Sequence, residues 1–337
     1  MNPTVPLFVG LDYSQHKVQV CALDPTGKVL FNRAVPDDAD AIDQAVRRLG
    51  VVHGAALEAC TGAADLAEQL TDRFGWPMHL GHPGFVSRMK QSPDKSDFSD
   101  ARVLADLERV GYLPRVWIAP KHLRELRTLV RDRQQLVAQR RNLKLAITAL
   151  LREHRQRCSH TRWTVAWRRW LEHEAQLPEQ ARWVMSQRLR RLEWLVAEVH
   201  AVERRLDEVT KDDRTVRWLR TIKGLGPVTA WTVRAEIGPF NRFRTGKQLA
   251  RYCGLTPCNR SSGDKEADAG LIRAANPELR RVFVEAAWCL IRCQPRWRQL
   301  AQRLRAQGKP STVVTAAVAN RFVRWLYHEG VRQQAAA

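Results

Sequence analysis

Between His122 and Arg155 the chain runs without a proline or glycine and is dense in leucine, arginine and glutamine. Little but a long helix accommodates such a stretch. Within it Leu129, Leu136, Leu143 and Leu150 recur at every seventh position. Further on, Leu192, Leu195, Val199, Val202, Leu206 and Val209 step alternately by three and four, which is a heptad seam. Two long helices that each bury one stripe predict an antiparallel helical hairpin or coiled coil. Pairing within one chain and pairing between chains, as an oligomerisation arm, both satisfy the pattern. The connector between them carries Trp163, Trp167 and Trp170 at i, i+4, i+7, interleaved with Arg162, Arg168 and Arg169. Such indoles can stack on unpaired bases. Packing into the hairpin, with the arginines on the wet side, is the simpler expectation.

Charge divides the chain. Over 337 residues the net charge is +21, yet residues 1–118 hold 12 Lys+Arg against 15 Asp+Glu, and the remaining 219 carry +24. A polycation of that size attracts polyanions, and nucleic acid is the natural partner. An anionic membrane is the rival. No apolar run reaches the roughly 18 residues a spanning helix needs, and Met1-Asn2-Pro3-Thr4 opens no signal peptide. The expectation is a cytoplasmic protein with no membrane partner. Seven scattered cysteines suggest no disulfide framework, and the Cys253/Cys258 and Cys289/Cys293 spacings read as buried thiols rather than zinc ligands.

The first 118 residues read differently from the rest. Strand patterns cover Leu7–Leu11, Val18–Leu23, Val29–Ala34, Ala55–Ala59 and Pro77–Leu80; helical patterns cover Asp38–Leu49, Ala63–Phe74 and Asp97–Val110. A strand hairpin followed by alternating helices and strands predicts a mixed α/β sheet flanked by helices, as in RNase H-like folds. Four acids stand out in it. Asp12 and Glu58 end two apolar strands, while Asp97 and Asp100 share one face at the start of a helix. Each alone reads as a turn or cap residue. Together they make a hard, oxygen-rich set suited to Mg²⁺, or Mn²⁺, acting on a phosphodiester.

Residues 214–337 predict a mostly helical unit. Lys223-Gly224-Leu225-Gly226-Pro227 lies between two helical patterns and looks like a helix-hairpin-helix element, whose N–H groups can hold a DNA phosphate without reading sequence. Further on, Ser261-Ser262-Gly263 sits in a polar loop with no histidine nearby. A flexible turn explains it, and a nucleophile would need activation from elsewhere.

Taken together these stretches resemble the DEDD insertion-sequence transposases, recombinases that work with a structured bridge RNA. The matching stretches are Val9–Asp12, Leu57–Gly62, Lys95–Ala101, Ile222–Pro227, Gln248–Pro257, Ser262-Gly263 and Asn276–Arg281. The resemblance spans nearly the whole chain in order. It implies a RuvC-like domain over 1–118 whose Asp12, Glu58, Asp97 and Asp100 bind metal. It implies a helical coiled-coil oligomerisation region over 119–213 and a transposase domain over 214–337 with Ser262 as nucleophile; Ser261 is adjacent. It implies strand cleavage through a transient phosphoserine link, then exchange of donor and target DNA strands. Partners would be double-stranded DNA, the guide RNA and further copies in a dimer or tetramer. The location would be the bacterial cytoplasm, at the nucleoid. Contacts to nucleic acid fall on Lys223, Gly224, Gly226, Arg260, Lys265, Arg273, Arg280 and Arg281. One departure stands out: Arg273 and Ala275 occupy positions where the family shows lysine and glycine. Arg keeps charge but not shape, and Ala forbids a left-handed backbone.

Three other readings compete. A RuvC-like Holliday-junction endonuclease would use water in place of serine. A non-catalytic descendant would only bind nucleic acid. An actin-like sugar kinase would need a glycine-rich phosphate loop after Asp12, where Tyr13-Ser14-Gln15 stands instead.

Overall fold

The computed structural model describes residues 5–14, 16–89, 96–259 and 268–335. They form two compact units, one ending at Pro120 and the other starting at Lys121.

The first unit is built on β1 (Pro6–Tyr13), β2 (Lys17–Leu23), β3 (Val29–Pro36), α1 (Ala39–Val46), β4 (Val51–Glu58), α2 (Ala63–Phe74) and β5 (Met78–Gly81). It is completed by α3 (Pro83–Met89), α4 (Asp97–Arg109) and β6 (Arg115–Val116). The sheet order is β3-β2-β1-β4-β5-β6. The first three strands are antiparallel, β1, β4 and β5 run parallel, and β6 closes the edge antiparallel. The mixed sheet and most predicted boundaries agree with the sequence reading. Helix α3 and the two-residue β6 were not expected from it.

Alternation along β1 sends Leu7, Val9 and Leu11 to one face, into a core shared with Ile42, Val46, Leu66 and Leu70. The opposite face is nearly bare. A Cβ on Gly10 would lie 2.0 Å from the Ala101 carbonyl oxygen and 2.4 Å from the Ala105 nitrogen. Helix α4 therefore lies directly on the strand backbone, and its alanines replace the usual layer of larger side chains.

The second unit begins with α5 (Lys121–Glu153), α6 (Val165–His173) and α7 (Glu179–Thr210). Leu136 packs with Leu195 and Val199, and Ile147 and Leu151 with Met185. Arg133 donates to Glu203 at 2.8 Å, and Arg188 to the Ala146 carbonyl at 2.7 Å. These pairs run in opposite order along the two helices, so the heptad stripes meet within one chain, antiparallel. Trp163, Trp167 and Trp170 join that core, with Lys144 over the Trp163 ring at 4.7 Å. The stripe thus serves packing.

The remainder is α8 (Arg214–Thr221), α9 (Pro227–Ile237), a 3₁₀ turn at Phe240–Arg242, α10 (Gly246–Tyr252), β7 (Pro257–Asn259) and β8 (Asp268–Leu271). Then follow α11 (Pro277–Cys293), α12 (Pro295–Ala306) and α13 (Ser311–Ala335). Strands β7 and β8 pair antiparallel as a small hairpin where the sequence showed only a polar loop. Among the described residues no helix is long and apolar enough to cross a membrane.

Because α4 touches β1 with no side-chain layer between them, Gly10→Ala forces the helix off the sheet. Overpacking of this kind costs about 3 kcal/mol or more. The expected result is a lowered urea midpoint for the first unit; a wild-type midpoint contradicts the packing.

Candidate active site

The site is assembled by register. Parallel pairing aligns Gly10 with Ala56 and Leu11 with Leu57, and Asp12 and Glu58 are the next residues along these two neighbouring strands. Adjacent strands lie about 4.8 Å apart, and paired residues point to the same face. That face is the one under α4. Gly54 meets the Glu108 side chain, Ala56 packs with Leu104, and Gly10 meets Ala101 and Ala105. Two strand residues advance about 6.6 Å and four helix residues about 6 Å, so helix and strands keep step in opposite directions. Continuing that ladder brings the first turn of α4, with Asp97 and Asp100, to the strand ends that carry Asp12 and Glu58.

Local chemistry explains each placement. Ser96 caps α4, its hydroxyl accepting from the Ser99 N–H at 3.2 Å. Asp97 and Asp100 in the first turn then complement the positive end of the helix. Asp100 is buried at 7% exposure, Asp12 and Glu58 are half-buried, and Asp97 is exposed, bonded to Lys17 Nζ at 2.9 Å. Cys60, just past β4, reports the field at this edge. Partial desolvation, then the Glu58 carboxylate, push its thiol above the ordinary range; the Ala63 N–H opposes this, and Asp12 adds to the rise.

Among the described residues no three His, Cys, Asp or Glu side chains come close enough to hold a metal ion. Like charges at one sheet end repel, and Asp97 is turned to Lys17. The donor set nevertheless fits a hard divalent cation in kind: all four are anionic oxygen donors, two on neighbouring strands and two in the first turn of α4. Asp97 would have to leave Lys17 to join it.

The second unit carries the other expected residues. Ser261, Ser262, Arg260 and Lys265 lie outside the described residues. The strands leading to and from them, β7 and β8, are described, and their base is firmly braced. Gly254 takes φ +67°, and a Cβ there would lie 2.4 Å from Arg280 Nη2. Arg280 donates to the Ile272 carbonyl, and Asn320 Nδ2 to the Leu255 carbonyl at 3.0 Å. Arg280 therefore points inward as a brace. Arg281 is exposed and paired with Glu278 at 2.9 Å, and Arg273 is exposed. Ala275 is not among the positive-φ residues, so this departure from the family pattern strains nothing. Lys223 is exposed in the α8–α9 turn, Gly224 takes φ +102°, and Gly226 caps α9 with open space about it.

Sequence reasoning missed the buried hub of this unit. Glu236, 3% exposed on α9, accepts from Arg131 at 3.0 Å and from Asn276 Nδ2 at 2.9 Å. The Asn276 side chain also caps α11, accepting from Glu278 and Leu279. Arg127 and Arg242 donate to the last carbonyls of α9, at Ala235 and Ile237. A glutamate between Ala235 and Ile237 was the only visible signal.

With this geometry in hand, comparison with known proteins is informative. A DEDD transposase model of the IS110 type matches residues 9–156, and a model described as "Transposase IS116/IS110/IS902 family" matches 216–302. The transposase for insertion sequence element IS1111A of Coxiella burnetii is 28% identical over 292 residues, covering 85% of this chain and 78% of the relative. A "Probable family 20 transposase" of Pseudomonas aeruginosa is 27% identical, covering 81% and 82%. The transposase for insertion sequence element IS1328 of Yersinia enterocolitica is 25% identical, covering 80% and 81%. The chain belongs to the IS110 family of DEDD insertion-sequence transposases.

If Glu58 stands where the register puts it, Glu58→Gln removes a negative neighbour and lowers the Cys60 pKa. More thiolate is then present at pH 8, and iodoacetamide labels Cys60 faster than in wild type. An unchanged rate contradicts the influence of the Glu58 carboxylate on Cys60.

Proposed function

We propose that this transposase moves its element by guided strand exchange, with Asp12, Glu58, Asp97 and Asp100 as its acidic centre and Ser262 as nucleophile. The observation that supports the reading is the parallel register of Gly10 with Ala56 and Leu11 with Leu57, one residue short of Asp12 and Glu58, on the face that α4 covers through Ala101 and Ala105. An Mg²⁺ or Mn²⁺ ion held there would supply charge neutralisation and lower the pKa of a hydroxyl. The chain's own part is to position. The glycine-alanine interface of α4 with the sheet fixes where the acids emerge, and Arg280, Asn320 and Asn276 hold the base of the hairpin that leads to Ser262.

In the proposed chemistry the serine oxygen attacks the scissile phosphorus, its proton is lost, and the displaced strand leaves as a free hydroxyl. The phosphoserine link conserves the phosphodiester energy, so rejoining to another strand needs no ATP. The basic residues beyond 118 hold donor and target DNA together with a structured guide RNA, whose base pairing reads sequence in place of the protein. Residues 119–213 act as an arm through which copies assemble, and the serine of one copy can serve the acids of another. Lys223, Gly224 and Gly226 offer a phosphate contact of helix-hairpin-helix type at the α9 N-terminus.

The test is a denaturant-resistant protein–DNA adduct, sought after incubation with element-end DNA, co-expressed flanking RNA and Mg²⁺. Wild type is expected to form it, and Ser262→Ala to abolish it by at least 100-fold, as loss of a covalent nucleophile does. Cutting that persists without an adduct in Ser262→Ala contradicts the serine mechanism and favours a water-using nuclease. Loss in Ser261→Ala alone moves the nucleophile by one residue.

A further inference from the structure

A cavity of about 490 Å³ opens between α12 and α13, far along the chain from the motifs used above. Its floor is apolar and aromatic. Trp297 and Leu300 are buried there, and Trp325 is half-buried, with the Trp297 and Trp325 ring centroids 6.5 Å apart at 71°. Its rim carries four arginines, Arg296, Arg303, Arg321 and Arg324, with His328 beside them, and all five are exposed. The Arg296 guanidinium lies over Trp297 at 4.8 Å and over Trp325 at 5.9 Å.

Among the described residues this charge meets no acid. Helix α12 has four arginines and no acidic residue. On the neighbouring helices surface arginines do find carboxylates: Arg281 binds Glu278, and Arg332 binds Glu329. Among the described residues no ion pair or hydrogen bond joins a rim arginine to an acid. Like charges gathered on one cup weaken the fold unless an anion answers them.

Size and surface specify the anion. Small-ligand pockets run from about 300 to 1,000 Å³, so this cup takes one small group and not a duplex. An indole with an arginine across it is a stacking surface for a base, and arginine forks suit phosphate oxygens. The cup also continues. Arg321 and Arg324 line a second cavity of about 480 Å³, walled by Pro257, Gly270 and Leu271 at the base of the β7–β8 hairpin. A strand leaving the cup past these two arginines runs toward the base of the β7–β8 hairpin.

We propose that the α12–α13 cup is a binding site for one unstacked nucleotide of a single strand, its base on Trp325 and its phosphates on Arg303, Arg321 and Arg324. This rests on the nucleic-acid reading of the protein but not on the serine chemistry.

The test compares full-length wild type with Arg303→Gln/Arg324→Gln, two exposed positions that keep their hydrogen-bonding capacity. The probes are a 12-nucleotide single-stranded DNA, the RNA of the same sequence and the blunt duplex. The double variant is expected to bind single strands about tenfold or more weakly, with a salt slope smaller by about 1.4, and to bind the duplex within about twofold of wild type. Loss confined to RNA or to DNA supports the site and says which strand supplies the nucleotide. Equal loss on all three probes, or no loss, overturns it. Wild type that binds none of the probes overturns the nucleic-acid reading as well. As a second measurement, a single strand carrying 5-iodouracil is expected to photocrosslink to the peptide containing Trp325 in wild type. Crosslinks confined to other segments overturn the proposal.

Discussion

Everything at the acidic end of this protein depends on how closely α4 can lie on β1. Gly10 has no Cβ, Gly54 has none either, and Ala101 and Ala105 present the smallest faces a helix can offer. A helix ordinarily stands off a sheet by the thickness of two side-chain layers. Here the layer is missing under the middle of the helix, and its first turn is brought down to the strand ends. Two acids sit at those ends because Asp12 and Glu58 follow the parallel-paired Leu11 and Leu57. Two more sit in the first helical turn, where they also complement the helix dipole. Burial first, and then the Glu58 carboxylate, raise the Cys60 thiol at this edge, and Lys17 answers the charge of Asp97.

The second unit solves the opposite problem, an excess of positive charge. Part of that excess is absorbed internally. Arg127, Arg131 and Arg242 are spent on Glu236 and on the carbonyls that end α9, so a buried acid ties α5, α9 and the start of α11 into one piece. Arg280 is spent on the hairpin base. Outside, some arginines meet surface carboxylates, as Arg281 and Arg332 do, and the α12–α13 cup gathers others against tryptophan. The same residue type thus builds the scaffold and is left over to meet a polyanion. Burial and partner decide which role each arginine takes.

Much of this could be read before any coordinates. Period-two runs ending in acids marked β1 and β4, and the long proline-free and glycine-free leucine pattern marked α5. The heptad stripe left its partner open, and the interior contacts of α5 with α7 resolve it within the chain. Other features were illegible for physical reasons. Helix α3 begins at Pro83-Gly84, which reads as a turn, and β6 spans two residues, too short for any period. Strands β7 and β8 are three and four residues long and flank a polar loop. Arg280 and Arg281 are neighbours of one type, yet one braces a carbonyl and the other faces solvent. Only the path of the backbone separates them. The α12–α13 cup draws on residues 296–303 of one helix and 321–328 of the next, so no local pattern announces it.

Membership in the IS110 family gives the chain its task; the convergence of the four carboxylates is what would let it perform that task with a divalent ion. Mn²⁺ binding to the isolated full-length protein, followed by electron paramagnetic resonance, examines that convergence without DNA or turnover. Wild type should take up the ion, and Asp12→Asn and Glu58→Gln should each weaken uptake by tenfold or more, as loss of an anionic ligand does. Uptake that is unchanged in both variants would mean that the acids at this sheet end do not share an ion, and the account of the site would be wrong.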